Sequence, residues 1–344
     1  MSLKYSIIIA VYNRLEEVKE LLASAEELDF PRALFEILFV DDGSTDGFQQ
    51  FIQSYRSASG LQLRWVYQQN QGPGAARNLG MAKSGAEYFI FVDSDCLLPS
   101  MWLKRIDRYL QRHRCDAFGG PDEAHASFTP FQKAVNYTMT SYIGTLGTRG
   151  KRRAPERFYP RSFNMGIHRR VYETIGGMDT TLRHGQDMDY SARIYKAGFR
   201  VCLIADAYVY HKRRTDWWKF FKQIFNWGVA RIALYRRHRE MLKWLHLLPL
   251  AVWVVGLGIL LSVTMQWLPL SVLWGAIVLI LLLSMMLFVG AWLRYREWKA
   301  ALWTPVVFVI QVGAYGLGLA WGLWQHWKGK EPKGFVKNYY GKKK

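Results

Sequence analysis

Two aspartates one residue apart, Asp93 and Asp95, follow the apolar run Glu87–Val92. Successive residues of a strand alternate between its faces, so the two carboxylates are expected to point the same way. Convergent carboxylates at a strand end form a hard oxygen site for Mg²⁺ or Mn²⁺, and Mg²⁺ usually adds substrate phosphates and water to one or two such ligands. Surface turns also carry Asp-x-Asp constantly, so the prediction of a metal site depends on the elements upstream.

Strand and helix signals alternate from the start of the chain to these aspartates. The predicted strands are Tyr5–Val11, Glu36–Val40, Gln62–Tyr67 and Glu87–Val92, and the predicted helices are Leu15–Glu27, Asp46–Ser57 and Pro73–Lys83. Near-continuous apolar strands separated by helices predict a parallel sheet that is covered on both faces. In such sheets ligands bind beyond the carboxyl ends of the strands. The residues at that edge are Tyr12–Asn13, Asp41–Asp42, Asn70–Gly74 and Asp93–Asp95.

The second predicted strand ends in an acidic turn, in which Asp41 and Asp42 precede Gly43. Glycine permits a tight turn, and both carboxylates then lie at the sheet edge, where a carboxylate can accept hydrogen bonds from a base or a ribose. An acidic loop whose hydroxyl residues cap the next helix explains the segment about equally well.

The third predicted helix opens at Pro73 among small residues, with Arg77 in its first turn and a half. Proline is favoured at the first helical position. A helix start without bulky side chains lets the backbone N–H groups and Arg77 approach an anion. A plain turn is the preferred interpretation when this segment is considered alone.

Further titratable side chains occur later in the chain. Asp187 and Asp189 lie near a predicted helix start, where they suit the helix dipole. A carboxylate in this place can also serve as the general base for an attacking hydroxyl. His211 ends a later apolar run, and a lone histidine is more often structural than a metal ligand.

The order of these motifs resembles that of family 2 glycosyltransferases. The matching segments are Ser6–Arg14, Val40–Gly47, Gly72–Gly80, Phe91–Asp95, Asn164, Gly176–Asp179 and Gln186–Arg193, within roughly residues 5–230. The resemblance implies an α/β fold of the GT-A type nucleotide-diphospho-sugar transferases, with a Rossmann-like, mostly parallel sheet. It also implies transfer of a sugar from a nucleotide-diphospho-sugar, assisted by Mg²⁺ or Mn²⁺.

The resemblance further implies roles for individual residues. The donor-binding residues are then Tyr12, Asp41, Asp42, Arg77 and Asp93. Asp95 looks like the direct metal ligand, Asp93 faces the ribose or the metal, and His211 takes the place of a late metal or diphosphate contact. Asp187 matches the catalytic base of an inverting transfer. A basic loop, Arg149–Arg153, is a candidate to close over the diphosphate, although a solvated loop fits its composition as well.

Two departures from the family pattern affect the expected activity. Gln186-Asp187 replaces the usual Glu-Asp pair, which keeps the base and removes a neighbouring charge. Membrane-bound processive synthases carry Gln-x-x-Arg-Trp on an interfacial helix, whereas this chain has Asn226 between Gln223 and Trp227 in place of the arginine. Gln223 and Trp227 are therefore acceptor-side candidates, and transfer of single sugars is favoured over processive polysaccharide synthesis.

The composition favours an anionic partner or surface. The 344 residues carry a formal net charge of +19 and fifteen tryptophans, most of them beyond residue 215. Aromatic rings gather at membrane interfaces, so membrane lipids are the expected partner. A nucleic-acid-binding protein would carry its stacking aromatics on a soluble sheet, and a transporter would need polar residues inside its spans. No nucleic acid partner is expected.

Three cysteines without metal-ligand spacing predict a reduced, cytosolic catalytic part.

The second half of the chain predicts membrane attachment. Thr215–Arg239 mixes aromatic and basic residues and resembles an interfacial amphipathic helix. Leu247–Leu293 contains no charged residue and would reach about 70 Å as one helix, twice the hydrocarbon core of a bilayer. A break at Gln266–Pro269 gives two spans, about Leu247–Met265 and Leu270–Trp292, and a weaker third, Leu302–Trp324. The predicted division is a catalytic domain (1–214), an interfacial region (215–243), transmembrane helices (244–327) and a Lys-rich tail (328–344).

These features together predict a multi-pass enzyme of the cell (inner) membrane with a cytoplasmic catalytic domain. Basic residues at Arg231–Lys243 and Arg294–Lys299 mark the cytoplasmic side. Three full spans would place the Lys-rich tail outside, which the same rule opposes. The expected acceptor is a hydroxyl of a lipid-linked or other acceptor, in polysaccharide or glycoconjugate synthesis for the cell envelope. Transfer onto polyprenyl phosphate, which needs no general base, is the alternative.

Overall fold

The computed structural model describes residues 3–145, 157–182 and 184–335. Their strands are β1 Tyr5–Val11, β2 Phe35–Asp41, β3 Leu63–Tyr67, β4 Tyr88–Val92, β5 Cys96–Leu97, β6 Ala117–Gly119, β7 Asp122–Glu123, β8 Asn164–His168, β9 Val201–Leu203 and β10 Val209–His211. Seven strands form one sheet in the order β3-β2-β1-β4-β8-β6-β9, and three form a second sheet in the order β5-β10-β7. The helices are α1 Leu15–Glu26, α2 Phe48–Ser54, α3 Pro73–Lys83, α4 Trp102–Arg112, α5 Pro130–Thr140, α6 Tyr142–Thr145, α7 Arg169–Ile175, α8 Gln186–Lys196, α9 Trp217–Arg237, α10 Leu248–Thr264, α11 Leu270–Tyr295 and α12 Trp298–Trp327.

The first four strands of the large sheet pair in parallel, as the sequence predicts. Strand β1 is mostly apolar, and six of its seven residues are buried because helices cover both sides of the sheet. Ile7 and Ile9 pack in a core cluster with side chains of α1 and α4, whereas Ile8 packs in a second cluster with side chains of α3 and α8. This alternation places α3 and α8 on one face of the sheet.

Strand β8 is the antiparallel member that extends the sheet beyond β4. It pairs with β4 so that Asn164 lies opposite Val92, and it also runs antiparallel to β6. Asn164 Oδ1 accepts a hydrogen bond from Trp102 Nε1 (3.2 Å), and its Nδ2 donates to the Ala207 carbonyl (2.7 Å). This buried amide ties β8 to α4 and to the segment before β10, next to the end of β4.

The described residues divide into two compact units. The first contains the described residues within 1–125 and 151–212, and the second contains those within 126–150 and 213–336. Helix α5 thus belongs to the second unit, whereas the sequence-based division keeps it in the catalytic domain. The physical reason is its apolar face, since Phe131 and other α5 side chains pack in one cluster with residues of α9 and α12.

The second unit contains the long apolar helices. Helices α11 (26 residues) and α12 (30 residues) are long and apolar enough to cross a membrane, while α10 has 17 residues and is shorter. The most apolar stretch of α11 is only 6% buried. A core helix of a soluble protein would be mostly buried, so this exposure favours a lipid environment for α11. The predicted break at Gln266–Pro269 lies between α10 and α11.

The cysteines differ from the expectation of three reduced thiols. Cys115 and Cys202 are joined in a disulfide, and Cys96 is a buried free cysteine. The pairing brings together the segment before β6 and strand β9, which are neighbours in the large sheet although they are 87 residues apart in sequence. Sequence spacing alone gave no sign of this proximity.

Candidate active site

Asp93 and Asp95 lie in a tight turn between β4 and β5. The turn is closed by a hydrogen bond from the Cys96 backbone N–H to the Asp93 carbonyl (3.0 Å). The strand therefore ends at Val92, before the two aspartates, and the alternation of strand faces does not set the directions of their side chains. The two carboxylates instead have different partners, Arg77 for Asp93 and His211 for Asp95.

The Asp93 carboxylate is held by the third helix. Arg77 Nη2 donates to Asp93 Oδ1 at 2.7 Å, and the Arg77 side chain is 9% exposed. Ser162 Oγ lies 3.5 Å from the same oxygen. The structure thus brings two predicted donor-binding residues together as a charge pair. Tyr12 is half-buried directly after β1, at the same edge of the sheet.

The Asp95 carboxylate lies beside a histidine and a second carboxylate. Asp95 Oδ1 is 3.2 Å from His211 Nε2, and His211 Nδ1 is 3.6 Å from Asp122 Oδ2. Ligand atoms of Asp95, Cys96 and His211 all lie within 4.8 Å of one another. Carboxylate oxygen and imidazole nitrogen suit Mn²⁺, and carboxylate oxygen suits Mg²⁺, so these residues fit a divalent cation.

Cys96 is a poor member of such a ligand set. Its side chain is fully buried, and burial together with the neighbouring Asp95 and Asp93 carboxylates raises the pKa of its thiol well above the ordinary value. The thiol therefore stays protonated at neutral pH, and the thiolate is the form that binds metals. Its Sγ contacts the Phe163 carbonyl at 3.8 Å. The cation candidates among the described residues are thus Asp95 and His211.

The acidic turn after β2 has mainly internal partners. Asp41 accepts hydrogen bonds from the Ser44 backbone N–H and from Gln49 Nε2, both at 2.8 Å. Asp42 accepts from the backbone N–H groups of Gln71 and Gly72, also at 2.8 Å.

Asp42 therefore fixes the loop that leads into α3. It receives a third hydrogen bond from Gln68 Nε2 at 2.6 Å and is 3% exposed. Burial raises the pKa of this carboxyl, although the hydrogen bonds from Gln71, Gln68 and Gly72 act in the opposite direction.

Asp187 lies in the first turn of α8, as the sequence predicts. Its Oδ1 accepts from the Met188 backbone N–H (2.9 Å), and its Oδ2 lies 4.0 Å from Arg161 Nη1. Arg161 is the chain neighbour of Ser162, which contacts Asp93. One short segment therefore contacts both the proposed base and the carboxylate at the end of β4.

Helix α3 provides a second link between these two regions. A Cβ added to Gly74 would lie 2.5 Å from Gln186 Nε2, so the glycine lets Gln186 pack against the helix start. Asn78 makes two hydrogen bonds with the backbone of Met178, at 2.7 and 2.9 Å. Arg77 of the same helix holds Asp93. Helix α3 thus contacts both the Asp93 carboxylate and Gln186, the residue before Asp187.

Further residues hold the loop that precedes α8. Arg193 donates to the Ile175 and Gly177 carbonyls and to Asp189 Oδ2, at 2.6–3.0 Å. Asp189 is 4% exposed, which agrees with a structural role for this second carboxylate.

Sequence reasoning missed Asp122 and Arg161. Asp122 follows Gly119-Gly120-Pro121, a turn signal that could have marked a strand end. Arg161 ends a basic stretch of the sequence that begins at Gly147, and no local pattern distinguishes it from its neighbours. The predicted basic loop Arg149–Arg153 lies outside the described residues.

The acceptor-side candidates lie in the second unit. Gln223 and Trp227 are half-buried residues of α9. Trp227 packs at the edge of the apolar cluster that includes Phe220, Ile224 and residues of α5 and α12.

The sequence model of Glycosyl transferase family 2 matches residues 6–176, from β1 through α7. These residues form a family 2 glycosyltransferase domain. The chain is thus a family 2 glycosyltransferase, which transfers a sugar from a nucleotide sugar, and the predicted family and enzyme class are confirmed. The match ends before Asp187 and His211, so it does not bear on the predicted roles of these two residues.

Two curated relatives resemble this glycosyltransferase over most of their length. It is 25% identical to glycosyltransferase AglE of Haloferax volcanii over 250 residues, which are 73% of this chain and 79% of that protein. It is 26% identical to the succinoglycan biosynthesis protein ExoA of Rhizobium meliloti over 304 residues, which are 84% of each chain.

A solved structure confirms the predicted GT-A type fold. Mannosyltransferase PcManGT from Pyrobaculum calidifontis, in complex with GDP-Man and Mn²⁺, has a TM-score of 0.64 to this glycosyltransferase at 16% identity. The similarity covers 94% of this chain and 88% of that chain.

Proposed function

We propose that this glycosyltransferase transfers a sugar from a nucleotide-diphospho-sugar to an acceptor hydroxyl, with inversion at the anomeric carbon. The observation that supports the proposal is that two segments, α3 and Arg161-Ser162, each contact both the Asp93 carboxylate and the region of Asp187. Helix α3 contacts Gln186 through Gly74 and Asp93 through Arg77, and Arg161-Ser162 contacts both carboxylates.

Asp187 is the proposed general base. Its carboxylate takes the proton from the acceptor hydroxyl as the oxygen attacks the anomeric carbon, and the nucleoside diphosphate leaves from the opposite face. The Asp187 side chain is 19% exposed, so an acceptor can reach it. General-base catalysis of this kind usually contributes about 10²–10⁴-fold in rate.

The proposed donor pocket lies at the carboxyl edge of the parallel strands. Tyr12, Asp41, Arg77 and Asp93 are proposed to contact the donor, while Asp42 shapes the pocket by holding the loop before α3. Such an edge is the usual ligand site of doubly wound sheets.

Asp95 and His211 are the residues proposed to hold a divalent cation, with Asp93 close by. When bound, Mg²⁺ or Mn²⁺ would neutralise the negative charge that develops on the leaving diphosphate. The contact of 3.2 Å between Asp95 Oδ1 and His211 Nε2 supports this assignment.

The proposed acceptor is lipid-linked and belongs to a polysaccharide or glycoconjugate of the cell envelope. The exposed apolar helices and the name of ExoA, a succinoglycan biosynthesis protein, support this. Gln223 and Trp227 of α9 are proposed to lie on the acceptor side.

We place the catalytic domain in the cytoplasm and the chain, as a multi-pass protein, in the inner membrane. The Cys115–Cys202 disulfide is of a kind that is typical of oxidising compartments. The many basic residues beside the apolar helices favour the cytoplasmic side instead, and the proposed location is based on these residues.

The test is a donor screen with the full chain in detergent, using UDP-, GDP- and dTDP-sugars with and without Mn²⁺. Asp187→Asn should bind the active donor normally in calorimetry and lose about 10²–10⁴-fold in transfer. Glu173→Gln, a change at an exposed acid of α7, is the matched control and should keep full activity.

Three outcomes would contradict the proposal. Full transfer by Asp187→Asn would remove this residue from the role of base and favour a phosphate acceptor. Donor binding that does not respond to Mn²⁺, in the wild type, would remove the cation. Failure to use any of the sugar donors would overturn the function itself.

A further inference from the structure

A buried carboxylate, Asp122, lies behind the histidine of the proposed cation site. We propose that Asp122 is a positioning residue that orients His211, so that Nε2 of this histidine faces Asp95 and the cation. The inference rests on the proposed cation site and adds to it a residue that does not itself contact the cation.

His211 has a carboxylate near each of its two ring nitrogens. His211 Nε2 is 3.2 Å from Asp95 Oδ1, and His211 Nδ1 is 3.6 Å from Asp122 Oδ2. The two ring nitrogens are distinct, so each carboxylate faces its own nitrogen. All three side chains are largely buried, with exposed fractions of 20% for Asp95, 14% for His211 and 8% for Asp122.

The small three-stranded sheet produces this arrangement. Strand β10 pairs with β5 so that His211 lies opposite Cys96, the residue after Asp95. On its other edge β10 runs parallel to β7, with Val209 beside Asp122. Strand β10, which contains His211, therefore lies between β5, which follows Asp95, and β7, which begins at Asp122.

An aromatic ring restricts the histidine further. The Phe163 ring lies 4.9 Å from the His211 ring, centroid to centroid, at an interplanar angle of 32°. Phe163 packs against the main apolar core and precedes Asn164, whose amide is buried and hydrogen-bonded. The face of the imidazole is thus in contact with a fixed side chain, and the Asp122 carboxylate acts at its edge.

A carboxylate beside a metal-binding histidine controls the tautomer and the orientation of its ring. A histidine that binds a metal through one nitrogen commonly presents its other N–H to a carboxylate, which fixes the tautomer and the ring orientation. The separation of 3.6 Å is an ion-pair distance and exceeds an ordinary hydrogen bond. At this distance the negative charge of Asp122 still favours the proton on Nδ1, which leaves the Nε2 lone pair available.

The experiment measures Mn²⁺ binding to the full chain in detergent, in the presence of UDP or GDP. Asp122→Asn should raise the Mn²⁺ Kd by about 10–100-fold, the range found for such supporting carboxylates. In electron spin echo measurements of bound Mn²⁺, the ¹⁴N modulation from His211 should be present in the wild type and absent in His211→Ala. It should be weakened in Asp122→Asn.

Asp116→Asn is the matched control. Asp116 is 5% exposed, accepts from the Arg200 backbone N–H at 2.8 Å and pairs with Arg170, so its carboxylate is buried and structural. This variant should unfold at a lower temperature and keep the wild-type Mn²⁺ affinity and ¹⁴N modulation.

The variant Asp122→Glu tests whether the negative charge or the shape of the Asp122 side chain determines Mn²⁺ affinity. A purely structural role predicts that the isosteric Asn is tolerated better than the longer Glu. The positioning role predicts the reverse for Mn²⁺ affinity, because Glu retains the negative charge. If Asp122→Asn does not fold, the Mn²⁺ Kd of Asp122→Glu is the test: a value near that of the wild type supports the positioning role, and a rise as large as in His211→Ala overturns it.

The outcomes distinguish this inference from the proposed function. Wild-type Mn²⁺ binding that His211→Ala abolishes and Asp122→Asn leaves unchanged would overturn the positioning role alone. Higher affinity in Asp122→Asn than in Asp122→Glu would also overturn it. A wild type that binds no Mn²⁺ with either nucleotide would overturn both the cation site and the role of Asp122.

Discussion

Adjacent aspartates have different roles in this site. Asp41 accepts two hydrogen bonds, from the Ser44 backbone N–H and from Gln49 Nε2. Asp42 accepts three, two of them from the backbone N–H groups of Gln71 and Gly72. Those two N–H groups have Asp42 as their acceptor at the start of α3. The side chain thereby replaces a backbone acceptor in a loop that forms part of the proposed donor pocket.

Asp42→Ala should therefore destabilise the chain. The change leaves the backbone N–H groups of Gln71 and Gly72 without their acceptor. Gly72 is buried, and an unsatisfied buried group costs about 1–3 kcal/mol. The measurement is thermal unfolding of the full chain in detergent, together with donor affinity, and both should fall.

The control for this change is Asp29→Ala. Asp29 pairs with Lys104 at 2.7 Å, and both side chains are largely exposed. Exposed pairs contribute roughly 0–1 kcal/mol, so its unfolding temperature should stay close to that of the wild type. Equal stability of the two variants would argue against a structural role of Asp42.

At the level of elements, α3 organises the site. Gly74, Arg77 and Asn78 are spaced three and four residues apart and therefore lie on one face of the helix. They contact Gln186, Asp93 and the Met178 backbone, in that order. A single helix thus connects the end of β4 with the loop and helix that carry the proposed base.

Gly74→Ala should lower kcat by displacing Gln186. The new Cβ would lie 2.5 Å from Gln186 Nε2 and 2.7 Å from its Cδ, closer than non-bonded atoms approach, so the side chain next to Asp187 must move. A 1 Å displacement at a catalytic group can cost about 10²-fold in rate. The measurement is the steady-state transfer rate.

Gly85→Ala is the matched control at the end of the same helical segment. No atom lies within 4 Å of a Cβ at Gly85, and the residue is exposed. Its transfer rate should equal that of the wild type. An unchanged rate in Gly74→Ala would show that the packing of Gln186 against α3 does not position Asp187.

At the scale of the whole molecule, the second unit indicates how the long helices meet the membrane. Lys133 of α5 forms a 2.8 Å salt bridge with Glu297 in the connection between α11 and α12. At the far end of α12, Arg236 Nη1 of α9 donates to the Lys330 carbonyl at 3.2 Å. Both ends of α12 therefore contact polar residues of neighbouring helices.

Helix α12 also packs closely against the amphipathic helix α9. The contact is made at Gly228 and Gly318, where an added Cβ would collide with the backbone of the other helix. Helix α12 is long enough to cross a membrane, but its contacts with α9 lead us to predict that it lies with α9 in the membrane interface, while α10 and α11 form a hairpin that crosses and returns. This predicted topology would reconcile the basic tail with the positive-inside rule.

Cysteine labelling in intact cells tests this topology. Gln266→Cys, between α10 and α11, should react with a membrane-impermeant maleimide from outside, while Lys330→Cys should react only after permeabilisation. The wild type should give little background, because Cys96 is buried and the other two cysteines are paired. Labelling of Lys330→Cys in intact cells would instead support three full spans.

The sequence by itself determined the elements and the family. Apolar runs with helical stretches between them marked β1 to β4 and α1 to α3 to within a few residues, because periodicity and turn residues act over short distances in the chain. The ordered motifs indicated a family 2 glycosyltransferase, which the family match confirms. The absence of charge from Leu247 to Leu293 marked the apolar helices.

Only the tertiary structure decided which side chains meet. Asp93 pairs with Arg77 and Asp95 with His211, since the strand ends at Val92 and a tight turn separates the two carboxylates. Asp122 reaches His211 through the pairing of β7 with β10, which joins segments far apart in the chain. Such contacts depend on strand order and register, and these are set by the packing of the whole core rather than by any local pattern.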